Sequence, residues 1–293
     1  MISNTITAEE PAMIAIEDWS DEAYNPVPDS ANQIHSDAMA EAYGFHGALV
    51  PGVTISGYLL HPAIAAWGLN WLTRGWAHVT VRSPLYDRSR FEVRTESTAR
   101  GYEASLRSDD RLCAVAEVEL PEQAAEPPTP QGHPLMDRDH VPPRATPENM
   151  RALRDTGCLA ARFRWSADQP MASYLRDASR MPSLLRTDEG TNAEGYANPS
   201  FLLGCANYHF AAIAHMNPWI HMETRSRNFA PVPLDTELLS ELTIVDLFER
   251  KGHQFADCRV NLFRRDDSTC VCSIEQRAIY QVRPPQSKAA HTR

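Results

Sequence analysis

The sequence predicts an α+β protein of two similar halves, each a long apolar helix wrapped by an antiparallel sheet. Three observations carry this reading. Apolar residues at helical spacing give way to strand-like alternation within 53–120, and the same order returns within 199–282. A proline-rich stretch separates the two runs. The motif Trp-x-His follows the helix in both halves, as Trp76-Ala77-His78 and as Trp219-Ile220-His221.

In the first half, Ile55, Leu59, Leu60, Ala63, Ile64 and Trp67 recur at helical spacing, and the expected helix runs over about 53–69. Pro51-Gly52 opens it, Gly68 and Asn70 help to end it, and Pro62 should kink it. Phe91, Val93 and Thr95 then share one strand face, as do Leu112, Ala114, Ala116, Val118 and Leu120. Residues 121–147 carry eight of the prolines, among them Pro127, Pro128, Pro142 and Pro143, and read as a linker without helix or inner strand. In the second half Asn198-Pro199 begins a helix over about 199–216, and strands follow at 238–247, 255–263 and 270–282. Lys251-Gly252-His253 reads as a hairpin turn. The expected organisation is thus a first domain over 1–120, a linker over 121–147, a second domain over 148–285 and a tail over 286–293. Two such sheets can pair edge to edge, which removes two exposed edges.

Composition narrows the function classes. The net charge of −10 opposes binding to nucleic acid, where phosphates need a basic face, and docking on an anionic membrane. Met1 to Glu10 has neither a basic region nor an apolar run, so no signal peptide is expected. The most apolar stretch, Ala48 to Leu72, is broken by Pro51, Gly52, His61 and Asn70 and reads as a buried helix. The six cysteines are scattered and form no Cys-x-x-Cys, which points to buried thiols in a reducing cytoplasm. His209 follows Cys205 by four residues, but with no further ligands nearby it reads as packing, and no metal site is expected.

The residues richest in chemistry lie at Ser30-Ala31-Asn32-Gln33-Ile34-His35-Ser36-Asp37 and at Gly44-Phe45-His46-Gly47 through Pro51-Gly52. In order and spacing Asn32, Ile34, His35, Asp37, Gly44, Phe45 and Gly52 resemble the MaoC-like family of acyl-thioester hydratases and dehydratases. Arg82-Ser83-Pro84-Leu85-Tyr86-Asp87 resembles that family's strand-to-turn segment. The likeness is specific over about 60 residues and diffuse elsewhere. It implies a tandem (double) hot-dog fold, in which the sheet is the bun around the helix.

The resemblance also implies a mechanism. The carbonyl of an enoyl thioester, carried on CoA or a carrier protein, would sit at the start of the first helix, where the Gly52 N–H stabilises a developing enolate. His35 would be the general acid/base, with Asn32 orienting the water or the imidazole. No cofactor is implied, and a homodimer is expected. Two positions depart from the family: its Asp falls on Ser30, and its His before Gly is Pro51. A hydroxyl is no base near neutral pH, so Asp29 or Asp37 would have to supply the carboxylate. Ser30 and Asp37 also read as caps of local turns or of a short helix over 38–43. A thioesterase, another reaction of secondary metabolism, and a non-catalytic acyl-thioester-binding protein therefore stand as alternatives.

Overall fold

The computed structural model describes residues 16–28, 47–188, 194–216 and 218–283. Ten strands form one continuous antiparallel sheet, in the order β1-β3-β4-β5-β2-β7-β10-β9-β8-β6. The first half supplies β1 (Trp19–Glu22), β2 (Trp76–Val81), β3 (Arg90–Ser97), β4 (Gly101–Ser108) and β5 (Arg111–Glu119). The second supplies β6 (Ala161–Arg164), β7 (Ile220–Asn228), β8 (Glu237–Arg250), β9 (His253–Arg264) and β10 (Cys270–Gln281). The halves join at β2 and β7, where Trp76 pairs with Arg227 and His78 with Arg225. Strand β2, which carries the first Trp-x-His motif, and β7, which begins within the second, thus form the seam.

Helix α1 (Gly52–Trp67) lies against the first half of the sheet and helix α4 (Pro199–Ile213) against the second. Between them in sequence come the short α2 (Leu69–Arg74) and α3 (Pro147–Thr156). The two long helices pack on each other, with Thr54 Oγ1 and Ser200 Oγ 3.1 Å apart. Both are apolar nearly all round, as a helix enclosed by sheet and neighbour must be. Pro62 sits within α1 without ending it. Its ring leaves the Tyr58 carbonyl without the usual helical donor, and the Trp19 indole N–H fills that place at 3.1 Å. Gly68, at φ 52°, ends α1. Asn70 lies inside α2 rather than closing α1, and α4 stops at Ile213, three residues short of the expected end. The β8–β9 hairpin turns through Lys251 and Gly252 at φ 54° and 78°, the pair of positive angles that a two-residue hairpin needs.

The chain over 121–146 is irregular, but it is tied to the second half. The Glu241 carboxylate accepts the N–H groups of Gln131, Gly132 and His133 at 2.7, 2.7 and 3.2 Å, which fixes this stretch against β8. A second crossing has more consequence. Between β6 and α4 the chain passes through three short 3-10 turns and packs Tyr174, Leu175, Met181, Leu184 and Leu185 into the core of the first half. Arg176 binds Glu22 and Asp87, and Arg180 binds Asp21. This strap makes the first half's core a shared product of both halves.

All six cysteines are buried and unbridged. No helix among the described residues is long and apolar enough to cross a membrane.

Candidate active site

The two long helices begin differently. Asn198 caps α4: its side-chain oxygen accepts the Phe201 N–H at 3.0 Å, and its amide donates to the Met171 and Ala172 carbonyls. Trp165 packs on Phe201. That helix start is closed. Helix α1 begins at Pro51, which has no capping side chain. The Pro51 carbonyl takes the N–H groups of Thr54 and Ile55, and no described residue accepts those of Gly52 or Val53. Two donors and the positive end of the helix are thus left open.

Gly52 borders a cavity of about 240 Å³. One wall is Leu49 and Val50, which run beside Leu85 and Tyr86. Ile55 and Leu85 line its inner side, and Arg82 and Ser83 its rim. The opposite wall belongs to the second half: Asn207 of α4, and Trp219, Ile220, His221 and Met222. The cavity therefore lies between the halves and needs both.

His221 holds this wall together. Its Nδ1 lies 3.0 Å from the Asn207 side-chain oxygen and its Nε2 2.6 Å from the Thr224 hydroxyl. With the amide oxygen facing Nδ1, the ring proton sits there, and Nε2 accepts from Thr224. Burial pushes the imidazole down to about 4, so it is neutral near pH 7. Gly52 is pressed against this ring: a Cβ placed there would be 2.9 Å from His221 Cδ2. Asn207 keeps its NH₂ for the cavity, and no described residue accepts from it. A carbonyl oxygen in the cavity would find the Gly52 N–H on one side and the Asn207 amide on the other. No carboxylate appears among the described lining residues. Beneath the wall Gln276 stands opposite Thr224 on β10, buried, with neither side-chain amide atom hydrogen-bonded. A buried unpaired amide costs about 1–3 kcal/mol.

Of the residues to which the resemblance gave a catalytic role, only Gly52 borders this cavity; the segment Arg82 to Leu85 and the second Trp-x-His motif line it as well. Ser30, Asn32, His35 and Asp37, and the helix expected over 38–43, lie outside the described residues. Asn207 and His221 drew no role from sequence. The Trp-x-His echo hid the difference between its two histidines. His78 points to the outer face, 2.8 Å from Glu223. A bulge at Met222 shifts the register of β7 and puts His221 on the inner face. The signal that could have found it is the polar residue pattern Thr224, Ser226 and Asn228, all buried on the face that meets the helices.

His209 is structural: it bonds the Ser240 hydroxyl at 2.7 Å and the Leu159 carbonyl at 2.8 Å. His61 is bonded to the Tyr174 hydroxyl at 2.9 Å and stacked under Trp19. Burial holds both near 4, as it does His221. In the unfolded chain each has a pKa of about 6.5. Unfolding therefore takes up protons between these values, and stability that is complete above pH 6.5 is lost as the pH falls toward 4. The melting temperature should drop steadily between pH 6.5 and 4.5; a flat profile there would show that these imidazoles are charged in the folded protein.

Comparison with solved structures places the architecture. A conserved hypothetical protein from Mycobacterium tuberculosis with a double hot-dog fold superposes with a TM-score of 0.50 at 13% identity, over 89% of this chain and 95% of its own. The dehydratase domain of PpsC from the same organism, in complex with C12:1-CoA, gives 0.48 at 12% identity over 89% and 92%. The tesB protein of Mycobacterium avium subspecies paratuberculosis gives 0.47 at 12% over 92% and 94%. No family model matches the sequence, and no curated protein does. The chain has a double hot-dog fold.

Proposed function

We propose that this protein is a hydro-lyase that acts on an acyl thioester of CoA or of a carrier protein, adding water to an enoyl thioester or removing it. The observation that carries the reading is the asymmetry of the two helix starts. One is sealed by its own cap, while the other begins at a mostly apolar cavity bordered by the Gly52 N–H and the Asn207 amide. The thioester carbonyl oxygen would take the Gly52 N–H and the Asn207 amide. Negative charge gathers on that oxygen as water adds to the β-carbon, and two fixed donors at a helix start stabilise it more than they stabilise the neutral carbonyl. His221 and Thr224 hold Asn207 in place. The proton transfers fall to His35, with Asn32 orienting the water and Asp37 or Asp29 supplying the carboxylate that Ser30 does not. That part rests on the resemblance in sequence.

Crotonyl-CoA tests the reading. Loss of the enoyl absorbance without release of free thiol is the expected result. Release of free thiol would make the protein a thioesterase instead. His35→Ala should slow hydration by roughly 10²–10⁴-fold, the usual contribution of a general acid/base. Ser30→Asp should preserve or raise it. Full activity in His35→Ala would remove His35 from the mechanism.

A further inference from the structure

The cavity at the start of α1 also limits what it can hold. We infer that the acyl group it accepts is short and unbranched by polar groups, of butyryl or crotonyl size; this rests on the acyl-thioester reading above. The exposed Arg82 marks the rim, and the buried Ile55, Leu85 and Trp219 form the inner wall. A chain that enters past Arg82 and leaves its carbonyl at Gly52 meets Ile55 one helical turn further on.

Beyond Ile55 the route along the helix is filled. Tyr58 and Leu59 have no exposed surface. The Tyr58 ring stacks on Phe91 with centroids 4.3 Å apart, and its hydroxyl is tied to the Tyr24 backbone at 2.8 and 3.2 Å. The Tyr102 hydroxyl holds the Leu59 carbonyl at 2.7 Å. From the other side Tyr174 of the strap lies against Gly57. Trp219 in turn is seated edge-on against Phe210. A longer chain would have to displace aromatic rings that are anchored by hydrogen bonds, not flexible side chains. Apart from Arg82 at the rim, the lining offers no charged group to an acyl tail, which suits plain hydrocarbon.

Titration of the wild-type protein with S-butyl, S-octyl and S-dodecyl phosphopantetheine decides this, because the arm is common to CoA and carrier proteins and the thioether is not turned over. An open tunnel would gain about fourfold in affinity per methylene, so octyl would exceed butyl by roughly 10²-fold. An inner end stopped by Tyr58 and Leu59 predicts the reverse: butyl binds, and octyl and dodecyl bind at least tenfold more weakly. Ile55→Ala, checked for folding by its melting temperature, should leave octyl binding weak, because Tyr58 and Leu59 still fill the route beyond it; octyl binding restored to the butyl level would overturn the inference. If dodecyl binds more tightly than butyl, the short-chain inference falls and the acyl-thioester reading stands. If none of the three binds, nor phosphopantetheine itself, both fall together.

Discussion

Gly52→Ala should lower kcat/KM on an enoyl thioester by about 10²-fold while the protein melts close to the wild type. The added methyl would lie 2.9 Å from His221 Cδ2 and 3.2 Å from Cγ. The ring cannot swing aside freely, because Asn207 holds one nitrogen and Thr224 the other. Either the helix start retreats or the ring breaks a hydrogen bond, and both shift a donor away from the carbonyl. A displacement of about 1 Å is enough for a loss of that order. Steady-state kinetics and a thermal melt together check this. In a His221→Ala background the same substitution should cost little, since the ring it strikes is gone; non-additivity of that kind is what contact between the two predicts. An unimpaired Gly52→Ala enzyme would place the carbonyl elsewhere.

Tyr174→Ala should destabilise the fold by about 3–5 kcal/mol, the cost of removing a large buried aromatic. Tyr174 has no exposed surface, packs beside Gly57 and bonds His61. Against a total stability of roughly 5–15 kcal/mol, that brings the protein close to unfolding. Tyr174→Phe keeps the ring and removes only the hydroxyl partner of His61, and should cost about 1–3 kcal/mol. Denaturant titration of the two variants separates packing from hydrogen bonding. Equal and small losses in both would mean that the strap is not part of the first half's core.

The architecture was legible because its signals are local. Asn198-Pro199 announces a capped helix and Lys251-Gly252 a hairpin, and the alternation of Ala256, Cys258, Val260 and Leu262 marks a strand face; all three are where the sequence put them. Within the candidate site, Gly52 and the segment Arg82 to Leu85 were legible in the sequence. The opposite wall comes from residues more than 150 positions away, and nothing local in Asn207 or His221 says that a helix from the first half begins beside them. The bulge at Met222 compounds this, because alternation read from His221 onward gives the wrong face. The strap was missed because a run of short turns carries no periodicity. Its apolar residues Tyr174, Leu175, Met181, Leu184 and Leu185 are unmistakable as core only once it is known whose core they enter.

That strap also sets an order of events during synthesis. When residue 120 leaves the ribosome, the first half has its helix and strands, yet five of its core positions are still untranslated. At roughly 5–20 residues per second the chain waits several seconds before Leu185 emerges. Throughout that interval the part of the α1 face that Tyr174 packs against lacks its cover from the strap. A first half made without residues 170–185 should therefore be an incomplete domain with exposed apolar surface rather than a finished one.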